Sequence, residues 1–100
     1  MKIVAVSACP AGLMHTYMAA ERALKEAKKR NIDIKVETRG AIGVENKLTN
    51  EDISSCDVVL LMTDISLDKT RFDGKPIVSV STAEAIRKIE DLFDQIGDMK

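Results

Sequence analysis

Apolar positions follow two rhythms along this chain, and the switches between them outline its elements. Residues 2–7 carry Ile3, Val4, Ala5 and Val6 without interruption, which predicts a strand covered on both faces, as at the centre of a parallel sheet. From 15 to 30 the period lengthens. Thr16, Ala19, Ala20, Ala23, Leu24 and Ala27 recur at helical spacing and predict a helix whose small alanines let it lie close on the sheet. Lys25, Lys28, Lys29 and Arg30 crowd the last turns, where cations oppose the negative end of the helix dipole. Asn31 ends the helix. Residues 32–39 then alternate, with Ile34, Val36 and Thr38 against Asp33, Lys35, Glu37 and Arg39. Such alternation predicts an edge strand with one wet face.

Gly40 and Gly43 punctuate a loop, and Thr49-Asn50-Glu51-Asp52 resembles a capping box that opens a short helix over 49–55. Residues 57–63 return to a continuous apolar run and predict a second central strand. The segment 64–75 is charged and has no clear period. Pro76 opens a fourth strand over 77–80, a position where proline is tolerated. Ser81-Thr82-Ala83-Glu84 reads as a capping box for a last helix. Ala83, Ile86, Ile89, Phe93 and Ile96 give its buried stripe, and Gly97 ends it.

Strands alternating with helices predict an α/β fold with right-handed crossovers. Two central and two edge strands give a four-stranded parallel sheet of order 2-1-3-4, flanked by helices in three layers, a short relative of the flavodoxin/Rossmann-like windings. Ligands bind such sheets outside the carboxyl ends of the strands, at the switch point between strands one and three. The segment from Ser7 to Thr16 emerges there.

Composition narrows the function. Residues 1–100 make one domain, large enough to hold a core without staples. No apolar stretch approaches the roughly 18 residues of a membrane span. Met1-Lys2 runs straight into a strand, so no signal peptide is expected, and a cytoplasmic chain with reduced thiols is. A formal net charge of −1 and three aromatic residues argue against a nucleic-acid partner, which would need a basic surface or stacking platforms. Of the two cysteines, Cys56 introduces an apolar run and reads as a core residue. A zinc site is not expected, because Cys9, Cys56 and His15 lack any recurrent ligand spacing, and no cofactor is implied.

Cys9 differs, because it stands between a strand and a helix start. Helix N-termini present unpaired N–H groups and a positive dipole end, and they bind phosphate. The backbone of Ala11, Gly12, Leu13 and Met14 could curl around an anion as a nest. Gly12 supplies conformational freedom, and Pro10 stiffens the turn. The same field favours the thiolate, a competent nucleophile beside a ready cradle for phosphoryl oxygens. Cysteine phosphatases use C-x5-R-[ST]; here the form is C-x5-H-T, with His15 in the arginine's place. Arginine clamps phosphate bidentately with a permanent charge, whereas histidine holds it more loosely. His15 either stabilises phosphate or simply starts the helix. Thr16 either caps the helix or donates its hydroxyl to phosphate or sulfur. Tyr17 and Met18 read as packing or partner surface, and Asp64 and Asp68 as solvated acids that could lie near.

The segment Ala8-Cys9-Pro10-Ala11-Gly12-Leu13-Met14-His15-Thr16-Tyr17-Met18-Ala19-Ala20-Glu21 closely resembles the signature of the fructose-family enzyme IIB component of the bacterial sugar phosphotransferase system. Val36-Glu37-Thr38-Arg39-Gly40, Asp57-Val58-Val59-Leu60, Arg71-Phe72 and the helix from Ser81 match its later blocks in order and spacing. The resemblance implies a single IIB-like phosphoryl-carrier domain with a four-stranded parallel sheet. It implies a phosphotransferase in which Cys9 takes a phosphoryl group from a phosphohistidine on the IIA component. That group then passes to a sugar, fructose or a related one, transported by the membrane IIC component. The chain itself would not span the membrane but would associate with the permease. The family usually has threonine at Ala11, alanine at Met14 and glutamine at Arg39. These departures bear on partner and sugar, not on the thiol.

Other chemistries fit the same residues. A cysteine-dependent phosphatase would release inorganic phosphate. A thiol redox protein would want a second cysteine where Gly12 stands. A non-transport regulator would use the same phosphocysteine as a signal.

Overall fold

The computed structural model describes residues 1–10, 14–41 and 43–99. Strand β1 (Lys2–Ala8) is the spine of the sheet, and every residue from Ile3 to Ala8 is fully buried. It pairs in parallel with β2 (Asp33–Gly40) on one side and with β4 (Val58–Thr63) on the other. Strand β5 (Ile77–Val80) runs parallel to β4. These four parallel strands stand in the order predicted from their patterning, and the two continuous apolar runs are the central pair.

A fifth strand corrects the count. β3 (Gly43–Glu45) lies antiparallel against the end of β2, giving the order β3-β2-β1-β4-β5. Three residues are too few to show a period, and Gly43, with φ of +101°, takes a backbone conformation that favours glycine as the chain doubles back. The edge reading of β2 fails for a second reason. Val36, Glu37 and Thr38 are all buried, so the charged side of the alternation is not wet throughout: Glu37 is enclosed by partners described below.

Two apolar layers cover the sheet. On one face α1 (Met14–Lys29), α3 (Thr82–Arg87) and α4 (Ile89–Asp98) enclose Ile3, Ala5, Leu60 and Met62 with Ala19, Ala23, Ala27, Phe93 and Ile96. On the other, α2 (Asn50–Ser55) and a 3-10 turn over Thr70–Phe72 enclose Val4, Val6, Val59 and Leu61 with Leu48, Ile53, Cys56 and Phe72. Among the described residues no helix is long and apolar enough to cross a membrane.

Local signals explain most helix ends. Thr49 and Asp52 form the reciprocal capping box at α2. Lys35 and Thr49 hydrogen-bond the Asp52 carboxyl and hold it well below its ordinary range. α1 ends in a Schellman arrangement, with Asn31 at φ 58°, Asn31 N–H donating to Lys28 O (3.2 Å) and Ile32 N–H to Ala27 O (2.8 Å). Leu24, placed by spacing on the sheet side, is instead 47% exposed, and Glu26 is buried in its stead through an ion pair with Arg30 at 2.6 Å.

The last helix is not continuous. Ser81 caps α3 by accepting from Glu84 N–H, but the chain breaks at Lys88 (φ −126°, ψ 36°) before α4 begins. That break re-phases the buried stripe to Thr82, Ala85, Ile89, Leu92, Phe93 and Ile96, leaving Ala83 exposed and Ile86 half-buried. Gly97 lies within α4 rather than ending it; a Cβ there would meet nothing, so the position makes no demand for glycine.

Candidate functional site

The carboxyl end of β1 delivers Cys9 to the predicted place. Ala8, the residue before it, is flanked in register by Arg39 of β2 and Thr63 of β4. The Cys9 side chain sits under the first turn of α1. Thr16 Oγ1 donates to Cys9 Sγ at 3.0 Å, one of the roles open to this threonine. Thr16 is itself locked: it is fully buried, and Ser7 Oγ, reaching up from β1, donates to its carbonyl at 2.6 Å. A hydroxyl pointed at sulfur stabilises the thiolate more than the thiol.

Of the remaining loop residues, Pro10 is exposed and forms a turn, while Ala11, Gly12 and Leu13 lie outside the described residues, so the nest expected of them does too. Met14 and His15 begin α1 with exposed side chains. Met14 and Met18, one helical turn apart, are 70% and 43% exposed. Tyr17 is half-buried.

The loop after β4 braces the same end of the sheet. Asp64 N–H donates to Ala8 O at 3.1 Å, and the Asp64 carboxylate accepts from Thr82 N–H at 3.0 Å and from the Thr82 hydroxyl. Asp64 is exposed, as a solvated acid would be, and it also straps the residue before Cys9 to the start of α3. Asp68 accepts from Thr70 N–H at 2.9 Å and from its hydroxyl; these bonds hold its carboxyl below the ordinary range. Cys56 is a core residue as expected, 4% exposed, and burial pushes its thiol up.

One group of residues escaped the patterning. Glu37 is fully buried, yet Arg71 grips it through two bonds, Nη1 to Oε1 at 3.0 Å and Nη2 to Oε2 at 2.7 Å. Arg39 Nε adds a bond at 2.8 Å and Leu48 N–H another at 3.0 Å. Burial alone would push the Glu37 carboxyl up, but the bonds from Arg71, Leu48 and Arg39 outweigh it and bring it down to about 2. The signal available in the sequence was the pair Glu37 and Arg39, two apart and therefore on one face of the strand. Arg71, 34 residues away from Glu37, could not be attached to them by spacing.

The arrangement provides a thiol at the sheet's switch point, a donor fixed on its sulfur, and a helix N-terminus beside it, which suits a nucleophile that handles anions. The profile of the family described as "PTS system, Lactose/Cellobiose specific IIB subunit" matches residues 4–95. The "PTS system fructose-like EIIB component 2" of Escherichia coli K12 is 47% identical over 96 residues, covering 95% of this chain and 91% of the relative. The "PTS system fructose-specific EIIB'BC component" of the same organism is 45% identical over 94 residues, covering 94% of this chain but only 17% of that longer protein. Among solved structures, a domain of the fructose-specific IIABC component of Borrelia burgdorferi superposes with a TM-score of 0.92 at 49% identity, covering 94% of this chain and 90% of that one. The chain belongs to the IIB family of the sugar phosphotransferase system.

Proposed function

We propose that this chain is a phosphocarrier in which Cys9 is the nucleophile, residues 1–100 acting as one carrier domain on the cytoplasmic side of a membrane permease. In the first step the Cys9 thiolate attacks the phosphorus of a phosphohistidine on a IIA partner. An S–P bond forms, the P–N bond breaks, and its electron pair returns to the imidazole. In the second step a sugar hydroxyl held by a IIC partner attacks the phosphorus, the S–P bond breaks, the thiolate is restored and the hydroxyl proton passes to water. Phosphoryl transfer asks mainly for position and charge stabilisation. Pro10, Ala11, Gly12, Leu13, Met14, His15 and Thr16 are the proposed phosphate-binding loop.

The observation that carries this reading is the Thr16 hydroxyl held 3.0 Å from Cys9 Sγ, a donor dedicated to sulfur at a helix start. His15 at the spacing where phosphatases use arginine supports hand-over rather than hydrolysis. The relatives named fructose-like, at 47% identity, favour fructose or a similar sugar over the disaccharides in the family's description. Relatives that carry B and C parts in one name support a IIC partner. The test is reconstitution: purified chain, phosphorylated IIA, and vesicles bearing a fructose IIC permease. Wild type should form sugar phosphate and Cys9→Ala none. Sugar phosphate formed equally by Cys9→Ala would reject the reading, as would release of inorganic phosphate in its place.

A further inference from the structure

The Glu37 network does more than fill a gap in the fold. With Glu37 as a buried anchor, Arg39 and Arg71 are held side by side at the wall of an open cleft of about 400 Å³, completed by Lys47, Asp68 and Thr70. The anchor engages Arg39 through Nε alone, which leaves its two terminal nitrogens for a ligand. Among the described residues Lys47 has no ion-pair partner. The three cations outnumber the two carboxylates, Glu37 and Asp68, and Glu37 is fully buried and faces the guanidiniums. The solvent side of the cleft therefore presents a fork of N–H donors and an ammonium, the geometry that takes a phosphate bidentately. In the same lining, Asp68 and Thr70 are bonded to each other through Asp68 Oδ1, so Asp68 Oδ2 remains to accept hydroxyl hydrogens. The volume falls in the range of small-molecule sites.

We propose that this cleft binds a small phosphorylated polyol, its phosphate on Arg39, Arg71 and Lys47 and its hydroxyls on Asp68 and Thr70. The phosphate half follows from the cleft itself; the polyol half rests on the phosphocarrier reading, whose product is a compound of that class.

The test is an amide NMR titration of the full, unphosphorylated chain with fructose 1-phosphate, inorganic phosphate and fructose in separate arms. No donor is needed, so the outcome is independent of whether Cys9 is phosphorylated, which is scored separately by mass. Saturable shifts confined to the neighbourhood of Arg39, Lys47, Thr70 and Arg71 are expected with the sugar phosphate, with a Kd of about 1 mM or tighter. Fructose should give none, and inorganic phosphate should bind the same residues several-fold more weakly. Arg39→Gln and Lys47→Gln together should weaken binding roughly tenfold in a chain whose spectrum remains dispersed. Both variants spare Arg71, which holds Glu37 bidentately and stacks on Phe72 at 4.8 Å. Absence of saturable shifts, shifts centred elsewhere, or unchanged affinity in the folded double variant would overturn the proposal. Equal affinity for inorganic phosphate would overturn its polyol half.

Discussion

Replacing Glu37 by glutamine keeps the shape of the side chain and removes its charge, which makes Glu37→Gln a direct measure of the buried network. A carboxyl held at about 2 rather than its ordinary 4.5 contributes about 3 kcal/mol to folding at neutral pH. The guanidiniums it meets are partly open to solvent, Arg71 25% and Arg39 39%, and screening brings the contribution to about 2 kcal/mol. The amide group of glutamine would also point N–H donors at guanidinium donors, adding a fraction of a buried-polar penalty. The expected loss is therefore about 2–3 kcal/mol near pH 7, or roughly 10–20 °C in Tm for a chain of this size. The pH dependence fixes the cause. Because the folded carboxyl titrates below the unfolded one, its contribution is fully present above 4.5 and is lost as pH falls toward 2. Urea unfolding followed by far-UV circular dichroism, on wild type and variant, should show a gap of about 2–3 kcal/mol near pH 7 that shrinks by at least half at about pH 3. A gap below about 0.5 kcal/mol near neutrality, or one that does not narrow in acid, would refute the reasoning.

Two further expectations concern the end of the sheet that holds Cys9. Thr16→Val removes the donor 3.0 Å from sulfur without changing volume; the thiol pKa, read from the pH dependence of Cys9 alkylation, should rise by about one unit, and an unchanged profile would show that the hydroxyl does not act on sulfur. Asp64→Ala unties Thr82 from the loop after β4 while leaving the backbone bond to Ala8; a loss of about 1–2 kcal/mol is expected in urea unfolding, and a loss below about 0.3 kcal/mol would show that the strap carries no load.

Much of this was legible in the residues, and the misses share a cause. Period distinguishes a covered strand from a half-covered one, so β1 and β4 are identifiable as the central pair, and the place of Cys9 at the switch point follows from period alone. What period cannot see is polar burial. Alternation puts Glu37 on the wet face, where a carboxylate ordinarily lies, and only the fold brings Arg71 and the Leu48 N–H to it. Glu26 and Leu24 repeat the error in smaller form: the ion pair with Arg30 lets a glutamate take the covered position that spacing gave to leucine. Short or interrupted elements are the other class. β3 has too few residues for a pattern, and the break at Lys88 follows no proline or glycine. At the site itself the thiol after β1 and the helix that follows are legible from period alone, whereas the bonds from Thr82 to Asp64 are not, because the two residues lie 18 apart in sequence.

The measurement that bears most directly on the central claim is the location of the phosphoryl group after the chain has met a phosphorylated IIA donor. Intact mass spectrometry and peptide mapping should find one added phosphoryl group on Cys9, with the S–P linkage visible by phosphorus NMR, and Cys9→Ala should take up none. A phosphoryl group on His15 or elsewhere, or undiminished uptake by Cys9→Ala, would contradict it.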